Sequence, residues 1–587
     1  MDLNTVREVV LVRERTELPA WQPGDAFIAG GCWLLSATVF QQIASTILQT
    51  TVERLRLRQS DTDTSKFDTG AFGSTGTTVT GKVRDNRFGF ARLGDIQPAG
   101  GGTGSVTELR IDDLDKECSM ANQVHLGHIF HLAGSPKVTK AAAVLVSIPD
   151  GALVIGDDGT IVYCGERGDL PDEYPSATVH DHRGGYLLPG FVDTHIHFPQ
   201  TYAYDSYGGG PLLEWLNMCI FPSESKFADP EFAQQAAVEF TRRRVATGTT
   251  AAMVFGSAFP HAQDALFTET QKAGLRIVAG RGIQTRGPDT AKPLITSEED
   301  AIRLTREEID KWHGADTGDY NSALLHVAII PRFSLSVTTE TFKRLGELYD
   351  DVRDRGVYFH SHLNENNRPG TGEVDSTKQD FQVNSYLDTY DGKFLPGSKV
   401  GGSSLLGRRT ILAHCVHMQD VELERMAETG SSVSHCPVSQ LFLGSGTMPW
   451  KRTVASGVNI SAGTDVGGGD EWLIPRVLGD AFKVHITEPG DAGVSMHPAE
   501  MLFIGTLGGA RALDMENRFG NFDLGKEADF VVVDPSGTPA LSAVLRNAVR
   551  ADDTELARDQ TLFGLLMGIR ESWITEVYVQ GRRAKAS

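Results

Sequence analysis

The chain has 587 residues, 40% of them apolar and 22% charged, a mix that suits a globular protein with room for more than one domain and a large core. A net charge of −21 excludes a general nucleic-acid binder, short of a local basic patch, because phosphate contact rests on clustered Lys and Arg that release counterions. Six cysteines (Cys32, Cys118, Cys164, Cys219, Cys415, Cys436) without a C-x-x-C pair exclude a thiolate metal cluster and point to a reducing compartment. No apolar stretch is long enough to span a bilayer, and the opening MDLNTVREVVLVRERTE lacks a secretory pattern, so the cytoplasm is expected.

Residues 1–120 read as an N-terminal extension of irregular fold. Trp21 to Leu35 (WQPGDAFIAGGCWLL) predicts a turn, a short strand and a Gly-Gly bend. Val39 to Leu57 has helical spacing at Phe40, Ile43, Ile47 and Val52. From Ser60 to Gly104 the run is rich in Gly, Ser, Thr and Asp, the composition of loops, with a linker near Pro98 to Ser105.

Over 121–187 the pattern turns to short alternating strands, with Pro149-Asp150-Gly151 and Asp157-Asp158-Gly159 as hairpin or turn signals between them. A similar pattern returns over 515–587, in GKEADFVVVDPSG and ITEVYVQGRRA. The two flanks are predicted to build one small β-sandwich domain, with 188–514 inserted between its halves. That middle offers eight strand candidates: 191–197, 250–255, 276–280, 326–331, 357–363, 410–415, 431–437 and 459–465. Amphipathic segments lie between them. One is capped by Asp229 with Pro230 at its first position, lines Phe232, Ala236 and Phe240 on one face, and stops at Gly248. Eight strands alternating with helices predict an α/β fold, a (β/α)8 TIM-like barrel whose active site sits at the C-terminal strand ends.

The polar residues fall at those ends. His195 and His197 are two apart, so a strand projects them to one face, and two imidazoles on a rigid strand make half of a zinc site. Strand five carries His360 and His362, with Glu365 just beyond; strand six ends in His414, strand seven in His435 and strand eight in Asp465. Each residue has a plainer reading alone, as a satisfied core histidine, a solvated loop carboxylate or, for Asp465, a helix cap. Together at successive strand ends they point to metal-assisted hydrolysis. Zinc lowers the pKa of a bound water toward about 7, and a carboxylate outside the metal's ligands can shuttle its proton. Glu365 is placed for that shuttle. Asp465 would orient the water, and His414 would donate to the developing oxyanion.

The set GFVDTHIH, HLNEN, AHCVH, SHCP and GTDVGGG resembles the mononuclear zinc branch of the amidohydrolase superfamily. Within it the chain is similar to the guanine deaminases, through DTHIHFPQ, PLLEWL, FPSE, IPRFSLS, SYLDTYD and GNFDLGKEADFVV, from about residue 123 to the C-terminus. The resemblance implies one zinc ion per subunit on His195, His197, His362 and Asp465, with Glu365 the proton shuttle and His414 beside the water. His362 rather than His360 follows because the family's ligand precedes the Glu by three residues. Gln200, Arg332 and Phe333 match positions that hold a purine, and Leu213 and Trp215 are expected to wall the pocket. The implied reaction is hydrolytic deamination of guanine to xanthine and ammonia by a homodimer, with no nucleic-acid or membrane partner.

Two stretches depart from the pattern. Asp470-Glu471-Trp472-Leu473-Ile474-Pro475 stands where the family has small hydroxylated residues and a Met, so the pocket floor or a subunit contact is expected to differ. In the extension, DAFIAGGCWLL is similar to a piece of the flavin domain of molybdenum hydroxylases, and FDTGAFGSTGTTVTGK to a piece of their molybdopterin subunit. Neither piece is complete, and no flavin or molybdenum cofactor is expected. The competing functions are an aminohydrolase of another azaheterocycle (8-oxoguanine, a pterin or a triazine) and a non-catalytic binding protein on the same barrel. Gln200 and Arg332 favour a purine edge, and the complete ligand set favours catalysis.

Overall fold

The computed structural model describes residues 122–587 apart from 173, 175–176, 205, 207–209, 371, 393–403, 549–553 and 586–587, and before them four short strands. The chain divides into two units, Met1–Met120 and Ala121–Ser587. In the first, the strands Ala26–Ala29, Cys32–Leu35, Glu8–Leu11 and Gly89–Arg92 pair in that order. Where one short strand is predicted before Gly30-Gly31 there are two, paired antiparallel on either side of it with Ala29 opposite Cys32. The helix expected over 39–57, the linker and the FDTGAFGSTGTTVTGK stretch lie outside the described residues.

The second unit is organised around eight parallel strands. They are β1 (Phe191–His197), β2 (Thr249–Phe255), β3 (Arg276–Gly280), β4 (Leu325–Pro331), β5 (Tyr358–Leu363), β6 (Thr410–His414), β7 (Ser432–His435) and β8 (Asn459–Ala462). Each pairs with the next in sequence, from β1 to β8. Helices cover the outside and side chains fill the inside, so β1 to β7 are buried at every position, which is why they read as near-continuous apolar runs. The helix predicted after β1 spans Pro230–Ala246; the Asp229 carboxylate accepts the Glu231 N–H, and Ala236 and Phe240 are buried. Among the described residues no ladder joins β8 back to β1. The seam is closed at the rim instead, where Asp465 N donates to His195 O (2.8 Å) and His197 N to Val466 O (3.0 Å).

The two flanks do build one sheet. Its order is Arg582–Arg583, Ile574–Val579, Phe530–Val533, Thr178–Pro189, Gln123–Leu132, Leu145–Ile155, Ile161–Glu166. One predicted turn is absent: Pro149-Asp150-Gly151 lies inside the strand Leu145–Ile155, at a register shift where Gly127 pairs with Gly151 but Ile129 with Ile148. A bulge tolerates a proline that cannot donate to the ladder, so the same residues serve without a reversal. Asp157-Asp158-Gly159 is the true turn, closed by Gly156 N to Thr160 O at 2.8 Å. The strand Phe530–Val533 pairs with the strand that leads into β1, Phe530 opposite Pro189, and Gly190 links that leading strand to β1. A Cβ on Gly190 would meet Thr250 Oγ1 at 2.1 Å, so only glycine lets the chain pass. Buried Arg276 of β3 ties the barrel to the flank through Asp529 (3.1 Å) and Glu527 (2.5 Å).

Candidate active site

The end of β1 sets the centre. One nitrogen or oxygen each from His195, His197, His362 and Asp465 lies within 4.8 Å of the others. His195 Nε2 stands 3.1 Å and His197 Nε2 3.3 Å from Asp465 Oδ1, and His197 Nε2 is 3.1 Å from His362 Nε2.

Neighbouring hydrogen bonds fix which ring nitrogens face inward. The Ile411 carbonyl takes the proton of His360 Nδ1 (2.8 Å), so His360 Nε2 accepts from His195 Nδ1 (2.7 Å) and leaves His195 Nε2 with a bare lone pair. His362 Nδ1 likewise donates to the Arg332 carbonyl (2.5 Å). His360 is thus the support of a ligand. Two bare imidazole nitrogens and a carboxylate oxygen converge, with at most one proton from His197 to separate them. Such a set is unfavourable alone and fits a borderline-soft divalent cation such as zinc. Burial also pushes His197 down to about 4 and His362 well below its ordinary value, so both rings are neutral as ligation requires.

Glu365 and His414 sit against this group. His414 Nε2 is 3.4 Å from Glu365 Oε2 and 3.9 Å from Asp465 Oδ2, and neither ring nitrogen of His414 has a hydrogen-bond partner among the described residues. Burial holds its pKa down to about 3, hence neutral. The two carboxylates are driven apart. Burial, then the charges of Asp465 and Glu373, push Glu365 well above the carboxylate range, whereas for Asp465 the same burial is outweighed by the surrounding histidines, which hold it well below. The two neighbouring carboxylates thus differ in their hold on a proton, Glu365 the tighter, which is the division of labour that acid–base chemistry at a single centre needs.

Glu373 was not legible in the sequence. Its Oε2 accepts the backbone N–H groups of Glu365 (3.2 Å) and Asn366 (3.4 Å), and its Oε1 the Tyr386 hydroxyl, which fixes the turn after β5. Four non-glycine residues at these strand ends, Asn364, His414, Cys415 and Asp465, hold positive φ between 50° and 73°. That conformation costs on the order of 1–3 kcal/mol each and persists where surrounding contacts enforce it.

The other wall of the cavity is lined by Gln200, Trp215, Arg332 and Phe333. From the PLLEWL segment Leu212, Trp215 and Leu216 face it rather than Leu213: positions i, i+3 and i+4 share a helix face, and Leu213 is turned about 100° away. Glu224 binds Gln200 and Arg332 together from behind. None of Asp470–Pro475 lines the cavity. Trp472 instead packs outward, its ring 4.9 Å from Arg243 and 4.8 Å from Arg244. Buried Arg244 donates to the Trp472 carbonyl (3.1 Å) and to Asp193 (2.6 Å), whose carboxylate also takes Thr464 N (3.0 Å) and Oγ1 (2.7 Å). The departing segment therefore braces β1 against the end of β8 from outside. His435 points away from the centre's ligands to His485, Nε2 to Nε2 at 3.0 Å.

Residues 186–582 match the model of the amidohydrolase family. The chain belongs to this family. Among amidohydrolases it is 36% identical over 473 residues to a probable guanine deaminase of Deinococcus radiodurans, covering 79% of this chain and 100% of that protein. It is 35% identical over 443 residues to the guanine deaminase of Escherichia coli, 75% of this chain and 92% of that one. The solved structure of the E. coli guanine deaminase aligns with a TM-score of 0.68 at 32% identity, over 79% of this chain and 99% of that chain. As an amidohydrolase, the chain carries its possible metal-binding group where the barrel strands end.

Proposed function

We propose that this amidohydrolase deaminates guanine, converting guanine and water to xanthine and ammonia. One observation carries the reading: a buried amide–guanidinium pair, Gln200 and Arg332, faces the same cavity as His197, His362, Asp465 and Glu365. His195, His197, His362 and Asp465 would hold one zinc ion per subunit, and zinc there supplies the Lewis acidity that makes a water nucleophilic at neutral pH. Gln200 and Arg332 bind the purine's polar edge, Phe333 stacks on its ring, and Trp215 keeps bulk water out. Glu365 takes one proton from the attacking water and gives it to the ring nitrogen beside C2, then carries the second proton of that water, from the new C2 hydroxyl, to the departing amine. His414 lies beside the attacking oxygen and steadies its charge, while Asp465 accepts a hydrogen bond that aims it. The C2–O bond forms and the exocyclic C2–N bond breaks; the first proton stays on the ring and the second leaves on ammonia.

We further read the chain as an extension over 1–120, a flanking domain from 121–187 and 515–587, and the barrel over 188–514, working as a homodimer in the cytoplasm. The described cysteines, Cys164, Cys219, Cys415 and Cys436, are free thiols, in keeping with a reducing compartment. Among the described residues no helix is long and apolar enough to cross a membrane.

The test is guanine loss with matched ammonia release, on metal-replete protein and on Glu365→Gln, with adenine, 8-oxoguanine and ammeline in parallel. Turnover of guanine alone is expected, reduced on the order of 10³-fold in the variant while its metal content is unchanged. Absence of guanine turnover, or faster turnover of 8-oxoguanine or ammeline, overturns the assignment.

A further inference from the structure

Glu224 sits in the short helix Phe221–Ser225, behind the purine-facing wall, and the reaction above leaves it without a task. It is 4% exposed. Its Oε1 accepts from Gln200 Nε2 (2.8 Å) and its Oε2 from Arg332 NH1 (2.5 Å). Gln200 Oε1 in turn accepts the backbone N–H of Gly467 (2.9 Å). Both ends of the Gln200 amide are therefore engaged, so it cannot flip, and it shows a ligand one N–H and one lone pair in fixed places. The Arg332 guanidinium is held the same way, with the rings of Phe221 and Phe255 5.3 Å and 5.7 Å from its centre. Gln200 and Arg332 line the cavity and Glu224 does not, so it acts only through them.

The pairing also sets the charge of the wall. A lone buried guanidinium facing a cavity attracts anions, whereas one paired at 2.5 Å presents hydrogen bonds with little net charge. Guanine is neutral near pH 7, while xanthine loses a ring proton in that range. We propose that Glu224 is a positioning and specificity residue: it locks Gln200 and Arg332 in register and cancels the Arg332 charge, so that the pocket prefers neutral purines to anionic ones, the reaction's own product included. The link to product release rests on the guanine reading; the charge preference does not.

The test uses the full metal-replete chain, wild type and Glu224→Gln, with hypoxanthine as neutral probe, urate as anionic probe and xanthine as product, all titrated by calorimetry. Wild type is expected to bind hypoxanthine about tenfold more tightly than urate, and the variant to reverse that order. In turnover, KM for guanine is expected to rise about tenfold in the variant while Ki for xanthine falls. A merely structural Glu224 would weaken all four ligands together, and that result overturns the proposal. Should Glu224→Gln fail to fold, wild type alone still decides: urate bound as tightly as hypoxanthine overturns it. A reversed preference in protein that does not turn over guanine keeps the clamp and discards the guanine reading.

Discussion

The two walls of the cavity are built differently. His195, His197 and His362 stand on barrel strands and Asp465 three residues beyond β8, each tied into its neighbours by backbone hydrogen bonds. Gln200 and Glu224 come from short helices and Arg332 from the bend just after β4, and their side chains are held by one another through Glu224. On the proposed reading, the chemistry that tolerates little displacement sits on the strand scaffold, and discrimination between ligands on side chains clamped by a carboxylate from a short helix.

The comparison is broken most severely from the strand side. His197→Ala is expected to lose bound metal and all turnover, and to forfeit the stabilisation the ion gives, about 4 kcal/mol when free metal stands at 1,000 times its Kd; metal analysis and thermal unfolding with and without chelator read both. From the loop side the damage should be partial. Arg332→Lys keeps the charge but loses the planar fork, so kcat/KM for guanine is expected to fall about 10²-fold with metal content unchanged. A fall in metal content would show that the two walls are coupled through the Arg332 carbonyl on His362.

The smallest effect belongs to Glu373, which lines the cavity and holds the turn after β5. Burial raises its carboxyl from the ordinary 4.5 to about 7, so over that interval the folded protein keeps a proton that the unfolded chain releases. The stability tied to that proton is full below pH 4.5 and is lost as pH rises through 7, up to about 3 kcal/mol. Glu373→Gln, which cannot ionise, is expected to flatten the denaturant-midpoint profile between pH 5 and 8. An unchanged slope would place the titration elsewhere.

What could be read from the sequence follows the same division. The grouping of polar residues at the strand ends was legible because strands repeat every second residue, so His195 and His197, or His360 and His362, declare a common face, and buried parallel strands declare themselves as apolar runs. The loop wall has no period. Glu224 in PSES and Glu373 in GTGEV look like solvated carboxylates, and only partners 24 and 108 residues away for the first, or a tyrosine 13 away for the second, reveal them as buried supports. His360 was visible, but its role as the support of His195 depends on a carbonyl of the next strand. Leu213 failed for lack of a helix phase, and Pro149-Asp150-Gly151 because turn residues and bulge residues share a composition.

The seam between β1 and β8 has one more consequence. His197 and Asp465 are separated by nearly half the chain, and during synthesis the first two ligands leave the ribosome long before the fourth exists. A seven-stranded precursor would carry an open edge and an incomplete coordination shell. On the proposed reading, an ion held across the completed seam would act as a cross-link that closes a very long loop, the kind of constraint that favours the assembled state over every partial one. Metal content would then serve as a gauge of maturation, since only a chain with its barrel finished brings His197 and Asp465 together.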